Sequence, residues 1–141
     1  MTINLNWFDL NQLFEYLTTT IIRSQDAETD EELQEIAEAY RDEWFLKEEI
    51  WNLLDKNSND KEKLISLEIK NSLLIKITNH MDNLLKLMSG DQSVIPSLNY
   101  LNEEVDHIDW EEESGMFDEF LANGLTPLLE QLKKAISKIN K

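Results

Sequence analysis

Apolar residues recur at helical spacing along most of the chain, and the widest apolar arc falls in residues 61–88. On a helical wheel of this segment the apolar side chains cover nearly half of the circumference, while a narrow strip stays polar. An arc this wide needs several partner helices, so the pattern predicts the central helix of a bundle over 61–89, ended by Gly90. The apolar positions are Leu67, Leu73, Leu74, Ile77, Met81, Leu84, Leu85, Leu87 and Met88.

Two helices are predicted before this segment. Asn6 suits the N-cap of a first helix from 7 to about 22. Thr29 followed by Glu32 is a capping-box pattern, and it predicts a long second helix that continues to residue 55. The second helix is expected to turn one apolar stripe inward: Leu33, Ile36, Ala37, Tyr40, Trp44, Trp51 and Leu54.

Shorter helices are predicted after the central segment. Pro96 suits the first turn of a fourth helix. A short helix over 116–122 is expected to end at the Asn-Gly turn signal of residues 123–124. Thr126 as N-cap and Pro127 at the first helical position then open the last helix.

The composition agrees with an all-α fold. Three glycines and two prolines in 141 residues, with no cysteine, argue against a turn-rich β fold, a disulfide scaffold and a thiolate site. We therefore predict a single compact bundle of five to six helices that forms one acidic domain over residues 1–141.

The N-terminus has no basic region typical of a signal peptide, and charges interrupt every apolar run before about 18 residues. A cytoplasmic protein without membrane contact is expected.

Charge is the property of this sequence that bears most on function. A formal net charge of −16 opposes direct binding to nucleic acid or anionic lipid and favours basic partners. The acids form two blocks: residues 26–49 hold eleven acids against two basic residues, and residues 87–132 hold no lysine or arginine. The residues predicted to bind a partner are Glu31, Glu35, Glu38, Asp42, Glu49, Asp106, Asp109, Trp110, Glu111, Glu112, Glu113, Asp118 and Glu119.

The first acidic block, if fully helical, carries charge at nearly the density of DNA. Its 24 residues would span about 36 Å with a net charge near −9, or about one charge per 4 Å. One DNA strand carries one charge per about 3.4 Å. Phe45 and Leu46 lie off the predicted inward stripe, and Phe45, Trp110 and Phe117 are candidates for desolvated contact with a partner. Trp110 is equally suited to covering the end of the core.

Two metal-binding motifs are incomplete. Glu104-x-x-His107 matches half of a ferritin-like di-iron site, but a second Glu-x-x-His is absent, and His80 lies on the apolar side of its wheel as a core or helix-flank histidine. The segment that starts at residue 55 sits between two predicted helices, as an EF-hand loop would. Its sixth position is Asp60 instead of glycine and its twelfth is Ser66 instead of glutamate, so a calcium site is rejected.

The segment Glu31-Glu32-Leu33-Gln34-Glu35 resembles the first half of the magnesium site of the all-α nucleotide pyrophosphohydrolases of the MazG type. The resemblance implies a metal-dependent nucleotide hydrolase in which these three glutamates bind magnesium. That family's second element, Glu-x-x-Asp on the next helix, is missing, because Glu49 is followed by Asn52. The chain also lacks a glycine-rich phosphate loop. We therefore predict no catalytic, cofactor or metal site.

Three hypotheses for function follow. The first is a non-catalytic acidic protein that neutralises a basic partner, a nuclease toxin or a nucleic-acid-binding protein, by occupying the surface that this partner uses for nucleic acid; immunity proteins and DNA-mimic inhibitors act in this way. The second is a helical structural or adaptor module whose charge serves only solubility; Phe45, Leu46 and Leu53 are its candidate residues for a homodimer interface. The third is a metal-dependent nucleotide hydrolase built on Glu31, Glu32, Glu35, Glu104 and His107.

Overall fold

The computed structural model describes residues 1–22, 27–98 and 119–139, with side chains described over the same ranges except 119–123. These residues form five α-helices, a π-helical segment, a 3-10 segment and two strands, so the predicted all-α class is confirmed with the addition of a small sheet. In chain order the elements are β1 (Thr2–Leu5), α1 (Trp7–Tyr16), the π-helical segment (Leu17–Ile22), α2 (Asp30–Ala39), α3 (Arg41–Lys56), β2 (Ile65–Glu68), α4 (Asn71–Met88), the 3-10 segment (Gln92–Leu98) and α5 (Glu119–Ile139).

By its internal contacts the chain divides into two compact units, Met1–Leu73 and Leu74–Lys141, with the division inside α4. The first unit holds the sheet and α1 to α3, and the second holds most of α4, the 3-10 segment and α5. A single domain over 1–141 remains a prediction. No helix within the described ranges is long and apolar enough to cross a membrane.

The first helix begins and ends where the sequence predicts. The Asn6 side chain accepts a hydrogen bond of 2.8 Å from the Asp9 amide, which is the N-cap geometry. The helix continues to Ile22, but its last six residues are π-helical. There the hydroxyl groups of Thr18 and Thr19 donate to the Glu15 carbonyl. The buried residues of this helix are Leu10, Leu13, Tyr16, Leu17, Ile21 and Ile22.

Residues 61–70 are the largest error in the predicted fold, because they are not helical. Ile65–Glu68 forms β2, which pairs antiparallel with β1 so that Thr2 lies opposite Glu68 and Leu5 opposite Ile65. The reason is an apolar period of two in both strands, which places every second side chain on the buried face. These buried positions are Ile3, Leu5, Ile65, Leu67 and Ile69. The predicted central helix therefore begins at Asn71.

The predicted second helix is two helices, because the chain leaves helical geometry at Tyr40. This residue has φ −110° and ψ 42°, and its side chain is buried. After the break, α3 packs against α1. The buried stripe of α3 is Glu43, Leu46, Ile50 and Leu54.

The break reverses two assignments on α3. The sequence pattern places Leu46 off the inward stripe and Trp51 on it, whereas Leu46 is buried and Trp51 is 56% exposed. The tryptophans instead cover the flanks of α3. The Trp51 and Phe14 ring centroids are 5.5 Å apart, and the Lys47 ammonium lies 3.7 Å from the Trp44 ring centroid. A large aromatic ring can cover the edge of a core without entering it. When such rings are counted as core residues, the predicted buried face of α3 is rotated away from the observed one.

The end of α4 is the glycine stop that the sequence predicts. Gly90 has φ 107°, and its amide donates to the Leu87 carbonyl while the Asp91 amide donates to the Lys86 carbonyl. These two hydrogen bonds form a Schellman motif. Pro96 then lies in the 3-10 segment, where the sequence predicts the first turn of a fourth helix.

α5 is one continuous helix, so the predicted short helix and its turn at 123–124 are wrong. Pro127 lies inside α5, and Gly124 does not take the positive φ that Gly90 has. An interior glycine costs a helix about 1 kcal/mol and an interior proline about 3 kcal/mol. Burial of several leucines at roughly 1.5–3 kcal/mol each outweighs this cost. The buried residues are Leu125, Leu128, Leu129, Leu132 and Ala135.

Candidate protein-binding surface

The helix α2 is the most acidic and least packed element of the described chain. None of its ten residues is buried, and it carries five carboxylates and no basic residue. The predicted capping box is present in a shifted form. The Glu32 amide donates to the Thr29 hydroxyl at 3.1 Å, and the Glu32 carboxylate accepts from the Glu28 amide at 2.8 Å. The helix is therefore held at its N-terminus by local hydrogen bonds.

The charge density of α2 matches that of a DNA strand. Ten residues at about 1.5 Å each span about 15 Å, so the five carboxylates give about one charge per 3 Å. One DNA strand carries one per about 3.4 Å. The break at Tyr40 ends this run, so the predicted continuous acidic helix of 36 Å is replaced by a shorter and denser one.

Two further predicted carboxylates, Asp42 and Glu49, lie on one flank of α3 beside Phe45, which is 63% exposed. They line a groove of about 240 Å³ between α3 and the chain that joins β2 to α4, hereafter the α3 groove. On α3 the lining residues follow the helical spacing of one face. The α3 groove is lined by Asp42, Phe45, Leu46, Glu49, Glu68, Ile69, Lys70 and Leu73.

The charged side chains of the α3 groove differ from one another in their hydrogen bonds and ion pairs. The Lys70 ammonium lies 3.3 Å from an Asp42 carboxylate oxygen, and both side chains are mostly exposed. The Glu68 carboxylate accepts a hydrogen bond from the Thr2 hydroxyl across the sheet. Within the described part of the chain, no hydrogen bond or ion pair holds Glu49. The Arg41 guanidinium lies beside the groove, 5.8 Å from the Phe45 ring centroid.

A second depression, of about 320 Å³, lies on the other flank of α3 and is lined by Phe14, Lys47, Glu48 and Trp51. The Lys47 ammonium is 3.3 Å from the Glu48 carboxylate and also lies over the Trp44 ring. The one carboxylate that lines this depression is therefore paired, whereas the α3 groove holds Glu49 in addition to the paired Asp42 and Lys70. Sequence reasoning missed this exposed aromatic surface because it places Trp51 in the core.

The structure gathers only part of the predicted partner-binding set. Glu31, Glu35 and Glu38 are exposed on α2, while Asp42 and Glu49 both line the α3 groove. Glu119 is the first residue of α5. The other predicted residues lie outside the described ranges, and so does Phe117: Asp106, Asp109, Trp110, Glu111, Glu112, Glu113 and Asp118.

The candidate metal residues do not form a site in the described chain. Among these residues no three histidine, aspartate or glutamate side chains are grouped so that they could hold a metal ion. Glu104 and His107 lie outside the described ranges. His80 is buried, and its Nε2 lies 2.9 Å from the Leu98 carbonyl oxygen, as expected for a core histidine.

A structural carboxylate, Asp82 on α4, contrasts with those of α2. Its oxygens lie 3.0 Å from the Lys133 ammonium and 3.4 Å from the Lys86 ammonium. Burial acts to raise the pKa of Asp82, but the hydrogen bonds and charges of the two lysines outweigh burial and hold this pKa below its usual range. Asp82 therefore ties α4 to α5.

Comparison of the chain with protein-family models, with curated protein sequences and with solved structures found no match.

Proposed function

We propose that this protein is a non-catalytic binding protein that neutralises a basic partner by covering the surface on which that partner binds nucleic acid. The observation that supports the proposal most directly is α2, a capped helix with five carboxylates, no basic residue and no buried side chain. Carboxylates in this density steer a basic protein and occupy the positions of phosphates. Phe45, exposed beside the acids of α3, supplies apolar contact area.

The carboxylates of α2 stabilise its first turn but repel one another along the rest of the helix. Asp30, Glu31 and Glu32 interact favourably with the positive N-terminal end of the helix dipole. Glu35 and Glu38 lie towards the negative end, and like charges three or four residues apart repel by about 0.2–0.5 kcal/mol per pair. A helix whose charge served only solubility would gain stability from interspersed lysines. A basic partner relieves this repulsion, which supports a role in binding.

A homodimeric adaptor is the second candidate, and it has one observation in its favour. Phe8, Phe45 and Trp51 are each more than half exposed, which is unusual for side chains of this size. Of the predicted interface residues, Leu46 is buried, Leu53 is half-buried and Phe45 is exposed, so Phe45 and the surface around Trp51 are better suited to a dimer contact than Leu46.

The proposal is tested by partner capture with two variants of equal charge. In the first, Glu31→Gln, Glu35→Gln and Glu38→Gln neutralise α2. In the control, three exposed carboxylates elsewhere are neutralised: Asp55→Asn, Glu62→Gln and Glu130→Gln. Both variants and the unmodified protein are immobilised at equal density and exposed to lysate of the native host at low salt and at about 0.5 M salt, where charges are screened within a few ångströms.

The proposal predicts that the unmodified protein and the control retain the same basic protein at low salt, and that the α2 variant loses it. High salt and added DNA or RNA should release this protein. Retention that is indifferent to salt and to the α2 substitutions would contradict the proposal. Recovery of only the protein itself would favour the homodimeric adaptor.

A further inference from the structure

The α3 groove combines an apolar floor with carboxylates at its rim. Leu46, Ile69 and Leu73 are buried beneath it, and Phe45 stands exposed on one side. Its volume of about 240 Å³ lies below the roughly 300–1,000 Å³ of pockets for small molecules and cofactors. The groove therefore matches a side chain of a protein partner in size better than a nucleotide.

The chain already places its own cations in and beside this groove. Lys70 contacts Asp42 at 3.3 Å, with 71% and 55% of the two side chains exposed. Arg41 lies over the ring of Phe45. An ion pair this exposed contributes little net stability, so a cation from another protein can replace Lys70 at low cost. Glu49, on the same helix flank as Asp42, offers a second carboxylate.

We propose that the α3 groove is the docking position for one apolar side chain of the partner, leucine or phenylalanine in size, flanked in the partner's sequence by lysine or arginine. The apolar side chain contacts Phe45 and the floor, one flanking cation replaces Lys70 at Asp42, and another pairs with Glu49. This inference rests on the proposed function and names the partner's contact chemistry. The depression around Trp51 is less suited, because Glu48 is its only carboxylate and is paired with Lys47, whose side chain is only 14% exposed and so is less readily replaced than Lys70.

The test uses a fluorescein-labelled peptide, Gly-Ser-Arg-Lys-Phe-Lys-Arg-Ser-Gly, and a matched peptide with serine in place of phenylalanine. Binding to the full chain is followed by fluorescence anisotropy at low salt. The groove variants are Phe45→Ala, Glu49→Gln and Lys70→Met. The controls are Phe8→Ala, which removes an equally exposed ring outside the groove, and Glu62→Gln, which removes one exposed carboxylate outside it.

The inference predicts that the phenylalanine peptide binds about tenfold more weakly to Phe45→Ala and several-fold more weakly to Glu49→Gln. Lys70→Met should bind it about three- to fivefold more tightly, because the competing cation is gone. Neither control should change binding by more than about twofold, and the serine peptide should bind weakly to every variant. The gain in Lys70→Met is a result that damage to the fold does not produce.

Failure of this inference and failure of the proposed function give different results. If the captured basic protein depends on the α2 carboxylates but not on Phe45, Glu49 or Lys70, the α3 groove is not its docking position, while the proposed function stands. Equal binding of the two peptides, or no peptide binding, would also overturn the groove assignment. If α2 neutralisation has no effect on the captured protein, the proposed function itself fails.

Discussion

The helices α2 and α4 show how differently one chain uses two amphipathic segments. Along α4 the apolar face is buried over its whole length, whereas no residue of α2 is buried. The apolar stripe of α2 is short and consists of Leu33, Ile36 and Ala37. Helical spacing of apolar residues therefore predicts a helix in both cases, but only a wide stripe of large side chains predicts burial.

The carboxylates of the two helices differ in the same way. Asp82 of α4 lies between Lys86 and Lys133, so its charge stabilises the packing of α4 on α5. Glu31 and Glu35 of α2 have no such partner among the described residues, and their charges repel each other. The first arrangement is typical of a structural ion pair, and the second agrees with the binding role proposed for α2.

The largest expected effect in this comparison is on global stability. Leu84→Ala removes a fully buried side chain of α4 and should lower the free energy of unfolding by about 2–5 kcal/mol, because it leaves a cavity. Leu33→Ala on α2 removes a side chain that is 37% exposed. This substitution should change the free energy of unfolding by less than about 0.5 kcal/mol. Urea unfolding followed by circular dichroism measures both. A comparable loss in the two variants would show that α2 is packed.

Local signals in the sequence predict helix ends well in this protein. The sequence correctly predicts the caps at Asn6 and Thr29 and the stop at Gly90, because each depends on a side chain or backbone conformation within a few residues. The predicted turn at 123–124 is wrong because burial of the leucines that follow it, Leu125, Leu128, Leu129 and Leu132, outweighs the local preference of the Asn-Gly pair.

The errors in the fold and in the site share a cause. β2 has the alternation of a strand, but a strand of four residues is stable only when paired, and its partner β1 lies sixty or more residues away in sequence. The same pairing places Glu68 near the groove that Asp42 and Glu49 line. Sequence reasoning identified the acids of α3 and Phe45, but it could not supply the residues that only the sheet brings to them.

The second-largest expected effect is the loss of stability when the N-cap of α1 or of α2 is removed. Thr29→Ala removes the N-cap of α2 and should cost about 1 kcal/mol of helix stability. Because α2 buries no side chain, this loss should appear as faster amide hydrogen exchange within Asp30–Ala39, with little change in global unfolding. Asn6→Ala removes the equivalent cap of α1, whose stripe is buried, and should lower the free energy of global unfolding by about the same amount. If Thr29→Ala lowered global stability equally, α2 would be part of the cooperative core.

The smallest expected effect is the pH dependence of stability, which should differ between the paired carboxylate of α4 and the carboxylates of α2. The pKa of Asp82 is lowered in the folded protein, so its ionised form contributes stability above its unfolded pKa of about 3.9, and this contribution is lost as the pH falls through the folded value. Asp82→Asn should therefore destabilise the protein at pH 7 by about 0.5–1 kcal/mol and have no such effect near pH 2–3. Glu35→Gln on α2 should leave stability unchanged at pH 7, or raise it by a few tenths of a kcal/mol, because it removes like-charge repulsion. Urea titrations at both pH values measure these differences. A loss in Asp82→Asn that persists at low pH would assign the role of this residue to its shape and hydrogen bonds instead of its charge.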